Sequence, residues 1–119
     1  MSKSANPGEL RTKVYFKRNE RTRDDEGFFH DQEVNVFGEG MPCMCKWVNA
    51  HGYEVFQTMQ LEIREPATIT TRFSRRLLDP TLLVYKGTDP KPYEIISIDN
   101  VEERSMWLEI KVQRKSGAR

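Results

Sequence analysis

The residues whose type could support chemistry are few. Cys43 and Cys45 stand one residue apart in "MPCMCKWV", and His30 and His51 are the two histidines of the chain. A thiol beside an imidazole is the pairing of a nucleophile with its base. Two thiols and two imidazoles would also meet the ligand count of a tetrahedral zinc site. The spacing supports neither reading. His30 lies beside Asp31 in a charged stretch and reads as a solvated residue, and His51 precedes Gly52 and reads as a turn residue. On an extended strand Cys43 and Cys45 share a face. The backbone between them disfavours closing a disulfide, so they read as free, semi-buried thiols. The sequence contains no nucleophile motif, paired catalytic acids or glycine-rich phosphate loop. The expectation is a protein that is not an enzyme, with no catalytic residues, no metal and no cofactor.

Positioning rather than chemistry is then the question, and composition bounds it. The chain has 119 residues, of which 37 % are hydrophobic, 10 % aromatic and 31 % charged, with a formal charge of +1. This length suits a single domain over 1–119, with flexible ends at 1–6 and 114–119. The near-neutral total sets up no strong field toward nucleic acid or an anionic membrane. No apolar run approaches the roughly 20 residues needed to span a bilayer. The opening "MSKSANPGELR" has no apolar stretch of the kind a secretory signal carries, so synthesis in the cytoplasm is expected.

The hydrophobic pattern alternates with period two in most segments. After a turn at "NPGEL", Leu10, Thr12, Val14 and Phe16 alternate with Arg11, Lys13, Tyr15 and Lys17, predicting a half-buried strand with a basic outer face. The aperiodic 18–31 stretch, "RNERTRDDEGFFHD", predicts a loop or a long hairpin tip. "EVNVF" at 33–37 predicts a short strand, and 41–48 an extended run with Trp47 anchoring the core at its far end. The segment 49–66 fits neither the strand nor the helix period cleanly. Ala67, Ile69, Thr71 and Phe73 share one predicted strand face, "SRRLLDPT" breaks that strand, and further strands are expected at 82–87 and 93–98. In the last strand Met106, Leu108, Ile110 and Val112 are expected inside, with Trp107, Glu109, Lys111 and Gln113 outside. Six or seven short strands with regular turn signals predict an all-β fold, a small antiparallel barrel with long loops and possible room for one short helix near 54–63.

Three groups of residues read as interaction candidates. Phe28 and Phe29 are adjacent, so on a strand they face opposite sides, and one is expected to meet a partner or cap the core. Arg72, Arg75 and Arg76 cluster beside a strand end. Tyr53, Phe56, Met59 and Leu61 are the apolar residues of the ambiguous 49–66 segment, a long connection of the kind that is often functional. Small barrels with exposed aromatics and basic residues also bind single strands, which makes a single-strand nucleic-acid-binding barrel an alternative.

Several segments in order resemble a known family. "NPGELR" leading into a basic strand, the charged turn with "DEGFF", "CKWVNAHGYEVF", "TITTRF" and the closing "LLVYKG…YEIISIDNVEERSMWLEIKV" resemble the tailed-phage head–tail joining proteins, also called head-closure or head–tail adaptor proteins. The likeness runs over roughly residues 5 to 113. The prolines of the turn at 87–92 and the "PCMC" stretch depart from the family pattern. The resemblance implies a β-barrel that docks on the portal–adaptor complex as a twelvefold or sixfold ring, closes the DNA channel and presents a surface to a tail protein. It implies a location in the virion neck after synthesis in a bacterial host. A tail-terminator or other neck component is the nearest alternative. The implied partners are other copies of the chain, monomeric or weakly associated when free, the portal or adaptor, a tail protein and passing DNA, with no membrane. The implied contacts are Tyr53, Phe56, Met59 and Leu61 in a channel or ring loop, and Arg72, Arg75 and Arg76 toward the channel or adaptor.

Overall fold

Seven strands follow one another in the computed structural model, which describes residues 7–49 and 65–115. They are β1 (Thr12–Arg23), β2 (Phe29–Asn35), β3 (Cys43–Asn49), β4 (Ala67–Arg72), β5 (Leu83–Lys86), β6 (Tyr93–Asn100) and β7 (Trp107–Arg114). Every pairing is antiparallel, in the order β2-β1-β3-β4-β7-β6-β5, and β1 also pairs with β5. That last pairing closes β1-β3-β4-β7-β6-β5 into a six-stranded barrel, with β2 as one outer strand. Closure removes the open edges of the six barrel strands, which would otherwise invite aggregation, and leaves β2 as an edge. Apart from three short 3-10 turns, no helix occurs among the described residues. The 49–66 segment, with its open choice of helix or strand, lies outside them from 50 to 64.

The interior follows from the period-two pattern. Val14 and Phe16 of β1, Cys45 of β3, Ala67 and Ile69 of β4, Val84 of β5 and Leu108, Ile110 and Val112 of β7 are fully buried. A small closed barrel has room for just such a plug of side chains. Leu77, on the 3-10 turn Arg75–Leu77, is also fully buried and closes one barrel end. Ser74 caps that turn by accepting from the Arg76 amide. Among the described residues Thr71 is the one polar residue in the buried core, and its hydroxyl meets Cys43 Sγ at 3.2 Å. Partnering of this kind is what makes a buried hydroxyl tolerable.

One expectation needs correction, and two open ones are narrowed. First, Met106 is 59 % exposed, whereas Trp107, the first residue of β7, is 8 % exposed. Met106 precedes the strand, at the turn, and has no barrel above it. Trp107 lies opposite Arg72, whose guanidinium sits 5.7 Å from its ring, and the 3-10 turn Val101–Glu103 packs on the same strand. Secondly, of the two readings of the charged stretch after Lys17, loop or long hairpin tip, the structure has the hairpin. β1 continues to Arg23, a five-residue tip turns the chain, and β2 begins at Phe29 rather than Glu33. Thirdly, Phe28 and Phe29 are 63 % and 56 % exposed, which removes core capping from the two roles expected of them. Trp47 is half-buried against the core and meets Tyr93 edge-on, with centroids 4.9 Å apart.

The result is a barrel with an arm. Lys17 to Arg23 pairs with Asn35 to Phe29. At about 3.4 Å per residue this hairpin reaches roughly 20 Å past the barrel. The radius of gyration, 15.4 Å, exceeds the roughly 13.5 Å expected of a compact chain of this length.

Candidate functional site

The thiol pair is arranged as the sequence predicted. Cys43 and Cys45 are free, with their sulfurs 3.8 Å apart on one face of β3. The hydrogen bond between the thiols holds Cys43 down to about 7, a shift that burial opposes and Thr71 assists. The same bond, with burial, pushes Cys45 far up. Among the described residues no imidazole joins the pair. His30 is on the arm, 2.7 Å from an Asp24 oxygen, and His51 lies outside the described residues. No cluster of three or more metal-ligating side chains occurs among the described residues.

The arm tip is held by its own hydrogen bonds. The Asp24 carboxylate accepts from the amides of Glu26 and Phe28, both at 2.9 Å, and from His30. The His30 contact, then these backbone bonds, hold its carboxyl below the usual range. Gly27 has φ +89°, a conformation that side chains rarely adopt, so the turn needs glycine there. Above the tip, Phe29 lies under two guanidiniums, Arg21 at 4.8 Å and Arg23 at 5.3 Å. At its root, the Tyr85 hydroxyl of β5 donates to Glu33 of β2 at 2.7 Å, and Lys17 covers the Tyr85 ring at 4.7 Å. Burial, with Glu33, pushes the Tyr85 phenol up to about 12. A groove of about 730 Å³ lies there, lined by Tyr15, Lys17, Glu33 and Tyr85 among others.

Strand pairing puts Arg72 and Trp107 at the barrel end from which the arm projects. Arg75 and Arg76 follow on the 3-10 turn that closes this end. All three arginines are exposed. Arg76 lies 5.9 Å from the Phe37 ring, and none of the three forms an ion pair with another described residue. Leu78, just after that turn, and Met106, just before Trp107, are exposed, and the Phe73 amide donates to the Met106 carbonyl at 2.9 Å. The three arginines thus lie at one barrel end, and Phe28 and Phe29 lie on the arm. Tyr53, Phe56, Met59 and Leu61 are outside the described residues.

The opposite end holds a group that sequence reasoning missed. Arg114 lies 4.2 Å over the Tyr93 ring and pairs with Asp89 and Glu65, both at 3.1 Å. Lys86 covers Trp47 at 4.8 Å. Arg114 is thus the tied-down last residue of β7. Only closure of the barrel brings residues 47, 65, 89 and 114 together, so no local pattern announces the group.

Comparison with known proteins agrees with this architecture. No curated protein matches the chain. The solution structure of protein SF1141 from Shigella flexneri 2a is similar in fold, with TM-score 0.66 and 18 % identity over 96 % of this chain and 100 % of that one. The family described as phage head completion protein matches residues 5–115. The chain belongs to that family, a structural, generally non-enzymatic family of head–tail joining proteins.

Proposed function

We propose that the chain is a subunit of the virion neck that docks on the portal–adaptor complex as a ring, closes the DNA channel and presents a surface to a tail protein. The observation that carries this reading is the arm: a hairpin with both faces in solvent, ordered by its own tip, on a barrel that needs no further partner to be closed. A folded chain gains nothing in its own core from such an arm, so its use lies in contact with other molecules. Arg72, Arg75 and Arg76 are the residues of the barrel end suited to meet the adaptor or the passing DNA. Electron microscopy of virions carrying a tagged copy tests the proposal. Label at the neck supports it, and label absent from virions overturns it in favour of the single-strand binder. Phe29 between two arginines is the one feature that favours that binder. The charge of the arm opposes it, since residues 18–35 carry three arginines against six carboxylates.

A further inference from the structure

The two thiols of β3 share a face but not an environment. Cys43 is the first residue of the strand and pairs with Val14, whereas Cys45 pairs with Thr12. β1 runs from Thr12 toward the arm, so Cys43 is the nearer of the two to the barrel end from which the arm projects. Cys43 is half-buried there, and Cys45 is fully buried. Two hydrogens converge on the Cys43 sulfur. The Thr71 hydroxyl lies 3.2 Å from it, and the Cys45 thiol donates to it at 3.8 Å. Each donor also has a second acceptor at 3.5 Å, the Met44 carbonyl for Thr71 and the Cys43 carbonyl for Cys45. When Cys43 loses its proton, both hydrogens are already placed to turn onto the sulfur, and hydrogen bonds to a charged form favour that form.

We propose that Cys43 is a modification site that takes up small disulfides by thiol–disulfide exchange, with Cys45 and Thr71 as the donors that hold its thiolate. The Cys43 thiolate attacks one sulfur of the small disulfide. A bond forms between those two sulfurs as the reagent's own S–S bond breaks, and the departing thiolate takes a proton from water. The small disulfide is the oxidant, and the products are a mixed disulfide on Cys43 and one free thiol. Exchange favours an attacking thiol whose pKa lies near the ambient pH. Cys43 is held down to about 7 by the Cys45 bond against the effect of burial, with help from Thr71. The same bond, with burial, pushes Cys45 far up, so Cys45 stays protonated and keeps donating. Two residues of extended strand separate the Cα atoms of the pair by about 6.8 Å, the outer limit for a disulfide. The exchange therefore stops at the mixed disulfide rather than closing Cys43 onto Cys45. This site is independent of where the chain sits in a virion.

Reduced full-length protein treated with excess glutathione disulfide tests the site, with the adduct counted by intact mass and placed by peptide mapping. One glutathione per chain is expected, on Cys43 and at least about tenfold faster than on Cys45, because thiolate character and exposure both select it. The rate should rise with pH through a midpoint near 7. Cys45→Ala should move that midpoint up toward the ordinary 9.0, and Thr71→Val should move it up by less. Circular dichroism checks that both variants keep the barrel. The wild-type chain needs no variant to decide the matter, since the place of the adduct and the midpoint are read on it directly. An adduct shared equally with Cys45, no adduct on the folded chain, or loss of both thiols without an adduct overturns the proposal. So does a wild-type midpoint near 9.0, or a folded Cys45→Ala variant whose midpoint has not moved.

Discussion

Residues 12, 14 and 16 and residues 18, 20 and 22 continue one side of the same pleated strand, β1, yet they lie in two different environments. Val14 and Phe16 are fully buried in the barrel, whereas Arg18 and Thr22 are exposed and Glu20 is half-buried. The strand does not change conformation at Lys17; its neighbours change. Up to Lys17 it is paired with β3 or β5 and covered by the opposite wall of the barrel, and beyond that residue it has β2 alone. A two-stranded ribbon buries too little apolar surface to be stable by itself. The arm is therefore held by other means: the ladder, the Asp24 turn, the stacking of Arg21 and Arg23 on Phe29, and the Tyr85–Glu33 bond at its root. The lesson is that one strand can be held by core packing over half its length and by local polar contacts over the other half.

The comparison can be broken most strongly from the barrel side. Phe16→Ala is expected to cost about 3–5 kcal/mol, the range for removing a fully buried phenylalanine. Phe29→Ala, the same change thirteen residues along the chain, should cost far less, about 0.5–1 kcal/mol, because the exposed ring loses only its stacking with Arg21 and Arg23. Denaturant unfolding of the two variants measures both. Equal losses would show that the arm and the barrel form one cooperative core.

Replacing Cys43 and Cys45 together by Ala is expected to cost less, about 1–3 kcal/mol, because small groups are lost from a packed wall and Thr71 keeps an alternative acceptor in the Met44 carbonyl. The same unfolding experiment reads it. A larger loss would make the thiol pair a structural centre of the barrel.

Tyr85→Phe sharpens the boundary between the regions. It removes the bond to Glu33, worth about 1 kcal/mol for an ordinary hydrogen bond and less at this exposed site. Amide exchange at Glu33 to Asn35 should quicken while exchange in β4 and β7 is unchanged. Because the phenol is raised above its ordinary value of 10.0 to about 12, the bond's contribution is full below pH 10 and is lost as pH rises toward 12.

The smallest effect is confined to the tip. The Asp24 carboxyl is lowered from 3.8, so the stability it gives the turn is present above that pH and fades as pH falls through the lowered value. Amide protection at Glu26 and Phe28, whose N–H groups donate to Asp24, should fall there first, while the barrel amides hold. Loss of both together would tie the tip to the core after all.

Much of this was legible in the chain because period-two alternation is local. The faces Val14–Phe16, Ala67–Ile69–Thr71 and Leu108–Ile110–Val112, the shared face of Cys43 and Cys45, and an all-β barrel of about seven strands could all be read from spacing. The arm could not be read so clearly. A strand without a core has no apolar alternation, so its polar residues looked the same as a loop, and only pairing with β2 distinguishes them. Met106 and Trp107 were misplaced because alternation continues on paper past the end of the wall that gives it meaning. Arg72, Arg75 and Arg76 were visible as a cluster, but their sharing an end with the root of an acidic arm depends on the tilt and closure of six strands. What the sequence by itself determined was which residues face inward along each strand, since that follows from the geometry of the pleat. The tertiary structure alone decided where the inside stops, because burial requires an opposite wall, and walls are made by strands far apart in the chain.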